Sequence, residues 1–125
     1  MAYNFLIIDD SAIVRKVFRR SLEMTDLEIN QLYEAGNGKE GLDIVRSEWI
    51  DLIFLDINMP VMNGIEFIEQ LRKDDSVGET PVIVVSTEGS QDRILLFEEQ
   101  GVSRYLRKPV SPEDLIDAVQ VTLGK

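Results

Sequence analysis

Four successive apolar side chains in Leu52-Ile53-Phe54-Leu55 cannot alternate between core and water, so this run demands burial on both faces, as a central strand of a parallel sheet has. The run closes on Asp56. Ile57-Asn58-Met59-Pro60 and then Gly64 punctuate a sharp loop, and a helix is expected from about Ile65. In open α/β sheets ligands bind beyond the carboxyl ends of the strands, which is where Asp56 would stand. The pattern recurs twice: Phe5-Leu6-Ile7-Ile8 ends on Asp9 and Asp10, and Val82-Ile83-Val84-Val85 ends on the hydroxyls of Ser86 and Thr87.

Between these runs the period changes from strand to helix. After Ser11, the residues Val14, Val17, Phe18, Ser21 and Leu22 fall on one helical stripe, with Arg15, Lys16, Arg19 and Arg20 outside it. That basic face is either solvated or a surface for an acidic partner. Residues 28–34 form a weaker strand suited to a sheet edge, and Ala35-Gly36-Asn37-Gly38 is a turn. A second helix, residues 39–49, turns Leu42, Val45 and Trp49 inward, with Trp49 as a packing residue. A third presents Ile65, Ile68 and Leu71. Ser90 caps a predicted helix over 91–100 that Gly101 stops; Leu95 and Leu96 widen its apolar arc beyond Ile94 and Phe97, so it is either deeply buried or partly a partner surface. Residues 104–107 read as a short strand. Ser111-Pro112-Glu113-Asp114 then opens a last helix that covers the sheet with Leu115, Ile116, Val119 and Leu123. Strand and helix thus alternate five times, which predicts an α/β fold: a doubly wound, five-stranded parallel sheet with five helices.

Composition limits what such a fold can do. At 125 residues and 44% hydrophobic content, one domain over 1–125 is expected. With 23 acidic against 13 basic residues the net charge is −10, which disfavours phosphate backbones, so no nucleic-acid partner is expected. The chain has no cysteine and no histidine, so any metal must sit on oxygen. Apolar runs are too short for a bilayer span and the start lacks a signal-peptide pattern, so a cytoplasmic monomer without membrane contact is the expectation.

Right-handed parallel connections carry every strand's carboxyl end to one edge, so Asp9, Asp10, Asp56, Ser86 and Lys108 should meet near one pocket. Clustered carboxylates repel one another unless a cation joins them. Without imidazole or thiolate they suit a hard ion, Mg²⁺ or Mn²⁺. Flanked by such an ion and an ammonium, a carboxylate oxygen is a competent nucleophile toward a phosphoryl group, giving an aspartyl phosphate, and the Ser86 hydroxyl can donate to a phosphate oxygen. Taken singly each residue has a plainer reading: Asp10 as a helix cap, Ser86 as a loop start, Lys108 as a solvated cation. Their coincidence carries the case.

Ile8-Asp9-Asp10, Phe54-Leu55-Asp56-Ile57-Asn58-Met59-Pro60 with Gly64, Val84-Val85-Ser86 and Lys108-Pro109 together resemble the motifs of response-regulator receiver domains of two-component systems, in order and along the whole chain. The likeness is strongest to single-domain chemotaxis-type regulators. The resemblance implies a flavodoxin-like three-layer sandwich with strand order 2-1-3-4-5. It implies Asp56 as phosphoacceptor from a phosphohistidine on a sensor histidine kinase or phosphotransfer protein. It further implies Asp10 as a direct Mg²⁺ ligand, Asp9 as one acting through water, the Asn58 carbonyl completing the set, and Lys108, before a cis Pro109, pairing with the phosphate. Ser86 and Tyr105 match the switch pair, whose movement alters the surface of the fourth helix, fifth strand and fifth helix for a downstream protein. Asn58 and Glu88 occupy the positions that tune dephosphorylation. Thr87 departs from the small residue common there; it either narrows the pocket or is neutral. With no segment expected after Lys125, output would be by protein contact, in chemotaxis or in a phosphorelay.

Three other readings compete. A flavin-binding electron carrier would share the fold, but Asp9-Asp10-Ser11 would repel the cofactor's phosphate. A Mg²⁺-dependent phosphatase with an aspartyl nucleophile resembles the site chemically, yet such enzymes keep a second Asp where this chain has Asn58. The third is a receiver-like scaffold that is never phosphorylated.

Overall fold

The computed structural model describes residues 2–56, 64–86, 99, 101–107 and 110–123. Five strands, β1 (Tyr3–Ile8), β2 (Ile29–Ala35), β3 (Leu52–Leu55), β4 (Val82–Ser86) and β5 (Arg104–Arg107), form one sheet in the order β2-β1-β3-β4-β5. Every pairing is parallel. Among the described residues the helices are α1 (Ala12–Glu23), α2 (Gly38–Ser47), α3 (Gly64–Lys73) and α4 (Pro112–Thr122). The expected helix over 91–100 lies outside the described residues apart from Glu99, so α4 here is the last helix of the sequence reading.

Alternation within the strands splits the core in two. Leu6, Ile8, Ile53, Leu55, Val82 and Val84 point to one face, where α2 and α3 cover them with Leu42, Val45, Phe67 and Leu71. Phe5, Ile7, Leu52, Phe54, Ile83 and Val85 point to the other, under Phe18 and Leu22 of α1 and Leu115 and Val119 of α4. The result is the three-layer sandwich. All four residues of β3 are buried, as its unbroken apolar run requires. No described helix is long and apolar enough to cross a membrane.

Side chains at the helix starts hold the connections short. Ser11 accepts from the Val14 amide, Asn37 from the Glu40 amide and Ser111 from the Asp114 amide, each satisfying a donor that the first turn leaves open. At the far end of α3 the Arg72 guanidinium donates to the carbonyls of Gly78, Thr80 and Gly101, all within 3.0 Å, and ties the approach to β4 to the approach to β5.

Two expected core positions are corrected. Val17 is 61% exposed, because Phe18 and Leu22 take the sheet-facing line and the Phe18 ring sits 4.9 Å from that of Phe54, which sets the rotation of α1. Trp49 is 77% exposed and lies outside α2. Glu48 is extended there, so the chain turns off the helical face and Ile50 takes the buried place. On α3, Ile65 is half-buried and packs against the core as expected, and Phe67, outside the expected stripe, is fully buried between α2 and the sheet.

Gly41 explains how α2 approaches so closely. A Cβ at this position would lie 2.5 Å from Ile8 Cδ1 and 3.2 Å from Phe67 Cε1, both on fully buried side chains. Gly41→Val is therefore expected to lower the unfolding free energy by about 2 kcal/mol, the usual cost of overpacking a tight core, measured by urea denaturation. A second expectation concerns acid. The Asp74 carboxylate accepts from the Ser76 hydroxyl at 2.7 Å, the Arg46 guanidinium at 3.0 Å and the Ser76 amide at 2.9 Å. Led by the Ser76 hydroxyl bond, these hold its pKa at about 2, down from 3.8. A depressed pKa means that folding favours the ionised form, so this tie is complete above about pH 4 and is lost as pH falls through about 2. Asp74→Asn should flatten that part of the stability-against-pH curve, read from thermal melts.

Candidate functional site at the carboxyl edge of the sheet

The sheet ladder itself delivers the acidic residues. Beyond the last paired residues of β1 and β3, Ile8 and Leu55, the Asp9 amide donates to the Ala35 carbonyl at 3.1 Å. The Asp56 amide donates to the Ile8 carbonyl at 2.9 Å. Each Asp is thus held by backbone while its side chain is left to the rim.

Asp9 is fixed twice more. Its Oδ1 accepts from the Ser11 amide at 2.9 Å, which shapes the chain entering α1. Its carbonyl accepts from Arg15 Nη1, and Arg15 Nε pairs with Glu34 at 3.0 Å. Asp9 and Asp56 are 4% and 9% exposed, and Asp10 faces solvent. One carboxylate oxygen from each of Asp9, Asp10 and Asp56 lies within 4.8 Å of the other two. Three acid groups so close, two of them nearly withdrawn from water, form a donor set of hard oxygens that fits a Mg²⁺-like cation.

Of the remaining site residues, Ser86 ends β4 at the same edge, its backbone in register with Arg107. Lys108 comes directly after Arg107 but lies outside the described residues, as do Asn58, Thr87 and Glu88. Tyr105 on β5 is half-buried against the core face shared by α2 and α3, beside Val84 in the register. The structure therefore brings Asp9, Asp10 and Asp56 together and places the ends of β4 and β5 along the same rim.

Sequence reasoning missed Arg15. Helical periodicity put it outside with Lys16, yet its side chain is only 18% exposed because it bridges the Asp9 carbonyl and Glu34. Neither its spacing from Asp9 nor its own type signals that bridge, since Glu34 arrives from β2. Arg19 reaches the same Glu34 at 3.1 Å. The face of α1 beside the acidic rim shows instead an apolar pair one turn apart, Ile13 at 77% exposure and Val17.

A doubly wound parallel sheet that gathers three carboxylates at its carboxyl edge defines a flavodoxin-like α/β protein with an acidic cluster able to hold a cation. More specifically, the model of the response regulator receiver domain matches residues 5–120, so the chain belongs to that family. A chemotaxis protein CheY homolog of Campylobacter jejuni is 32% identical over 122 residues, 97% of this chain and 92% of that protein. Chemotaxis protein CheY1 of Helicobacter pylori is 30% identical over 122 residues, 97% of each. Among solved structures, chemotaxis protein CheY4 of Vibrio cholerae aligns with a TM-score of 0.87 at 29% identity, covering 98% of this chain and all of that one. The chain is thus a receiver domain similar to chemotaxis-type regulators over nearly its full length.

Mutual repulsion at the rim yields a signed expectation. Asp10→Asn should raise stability by about 1 kcal/mol in chelator, the scale of one close like-charge contact near water. It should also reduce the gain in melting temperature expected when MgCl₂ is added to the unmodified protein. Differential scanning fluorimetry with and without MgCl₂ reads both; a variant less stable in chelator and equally responsive to the salt would contradict the arrangement.

Proposed function

We propose that this receiver domain is a phosphorylation-dependent signalling switch in which Asp56 is the phosphoacceptor. The observation that carries the reading is the meeting of Asp56 with Asp9 and Asp10 at the edge of a receiver-family sheet. The donor is the phosphohistidine of a sensor kinase or phosphotransfer protein. An oxygen of Asp56 attacks phosphorus, the phosphorus–nitrogen bond breaks, and its electron pair returns to the imidazole, leaving an acyl phosphate on Asp56.

Asp9, Asp10 and Asp56, with the Asn58 carbonyl, would hold Mg²⁺. When bound, that ion supplies charge neutralisation for the acid cluster and the incoming phosphoryl group. Near-burial of Asp56 limits its contact with water and strengthens each electrostatic contact made there. Lys108 pairs with the phosphoryl oxygens and the Ser86 hydroxyl donates to one of them. Asn58, Thr87 and Glu88 tune how long the phosphate lasts.

The switch grows out of the fold. Ser86 and Tyr105 belong to neighbouring strands, β4 and β5, so a hydroxyl drawn toward the phosphoryl group changes the space beside the half-buried Tyr105 ring. Two packings differing by a few kcal/mol are then biased by the new contacts. The surface affected comprises residues 91–100, β5 and α4, and it meets a downstream protein. Similarity to chemotaxis proteins along almost the whole chain supports a chemotaxis-type output by protein contact. The exposed Ile13 and Val17 beside the rim, bordered by Lys16 and Arg20, support docking of a protein donor there.

Incubation with MgCl₂ and acetyl phosphate should add one alkali-labile phosphoryl group by intact mass, and Asp56→Asn should add none. No adduct on the unmodified chain, or equal labelling of the variant, would refute the assignment. Sustained turnover of a phosphate monoester would favour the aspartyl-phosphatase reading instead.

A further inference from the structure

The opposite end of the sheet carries a feature that phosphorylation at Asp56 does not use. Where the chain enters β3 and β4, a half-open groove of about 370 Å³ lies between the end of α2, the approach to β4 and the end of α4. The half-buried Val77 and Leu123 supply its apolar surface above the buried Val45 and Ile50, and Trp49 its most exposed wall. Its size falls within the range of sites that take a ligand group or a few side chains.

The Trp49 ring is exposed yet held. Its Nε1 donates to Asp51 Oδ1 at 3.0 Å, and its carbonyl accepts from Asn4 Nδ2 at 2.8 Å. Asp51 Oδ2 in turn accepts from the Asn4 amide at 2.8 Å, so Asn4 steadies both the Trp49 backbone and the carboxylate that holds its indole. A large aromatic surface kept in water by hydrogen bonds has already lost the freedom that docking would otherwise remove.

Charge decides what fits. Glu48, Asp51 and Glu79 line the same groove, and no described Lys or Arg does. Their hydrogen-bond donors are neutral: the Tyr33 hydroxyl for Glu48, the Asn4 amide and the Trp49 indole for Asp51. Among the described residues none of the three forms an ion pair, whereas the nearby Asp74 is matched by Arg46. The groove is thus an apolar floor and an aromatic wall edged by three uncompensated carboxylates.

We propose that this groove docks a partner-protein segment carrying arginines beside an apolar anchor, with the anchor on the half-buried Val77 and Leu123 and a guanidinium between Trp49 and the acidic rim. A planar cation both stacks on indole and bonds carboxylates bidentately, which a plain ammonium does less well. Because the groove and the acid cluster occupy opposite ends of the strands, docking leaves Asp56 open to its donor.

Trp49 is the chain's only tryptophan, so its emission reports this site alone. Titration of the intact protein with a short amidated peptide of alternating leucine and arginine should give a saturable change in Trp49 emission that weakens with added salt. The double variant Glu48→Gln with Glu79→Gln should bind at least tenfold more weakly. A control pair at the opposite end of the sheet, Glu66→Gln with Glu113→Gln in the first turns of α3 and α4, should bind as the unmodified protein does. An unaltered affinity in the first pair, an equal loss in the control pair, or an equal response to a leucine–glutamate peptide would overturn the proposal. So would two further results: arginine amide alone binding as tightly as the peptide, which makes the groove a small-cation site, or peptide-free emission that depends on protein concentration, which makes a second copy the occupant.

Discussion

The parallel hydrogen-bond ladder is the constraint on which the rest of this structure depends. Its rungs run from Ala35 through Ile8 and Leu55 to Val84 and Tyr105 at one level, so the residues after each strand must emerge at the same edge. The amides of Asp9 and Asp56 extend that ladder by one bond each. Two carboxylates that repel are thereby pinned side by side by backbone, and Asp10 is the next residue along. A side-chain network could relax away from such repulsion, but a ladder buried on both faces has no alternative register without turning its apolar residues to water.

That rigidity assigns different tasks to the two sides of the sheet. The α2–α3 face is closely fitted, with Gly41 admitting Ile8 and Phe67 where any side chain would collide. The α1 face is organised around aromatic contacts, Phe18 and Phe5 against Phe54, directly behind the strand that ends on Asp56. Arg15 then couples α1 to the Asp9 backbone and to Glu34 on β2. The acidic rim is therefore supported from the sheet, from the start of α1 and from the edge strand together, which suits a group that must keep its geometry as charge is added nearby.

The two ends of the strands contrast in their chemistry. At the carboxyl end, acids crowd within 4.8 Å, as a cation site requires. At the amino end, the acids are spread along the border of an apolar groove, and the donors that Glu48 and Asp51 meet there are neutral. Close acids favour a compact inorganic charge, whereas dispersed acids around indole favour an extended organic one.

Much of this was legible in the chain. The unbroken apolar runs gave the central strands, because no half-exposed strand tolerates four apolar residues in succession. The endings of those runs on Asp, together with right-handed crossovers, implied that the acids share an edge. Ser11 and Ser111 announced their helices through local capping chemistry that needs no tertiary contact. Tertiary structure alone decided the rotation of α1, which left Val17 in water and drew Arg15 in, and the turn at Glu48, which put Trp49 outside the core. Periodicity gives the width of an apolar stripe but not the angle at which it meets the sheet; that angle is set by Phe54 and Glu34, residues contributed from elsewhere in the chain.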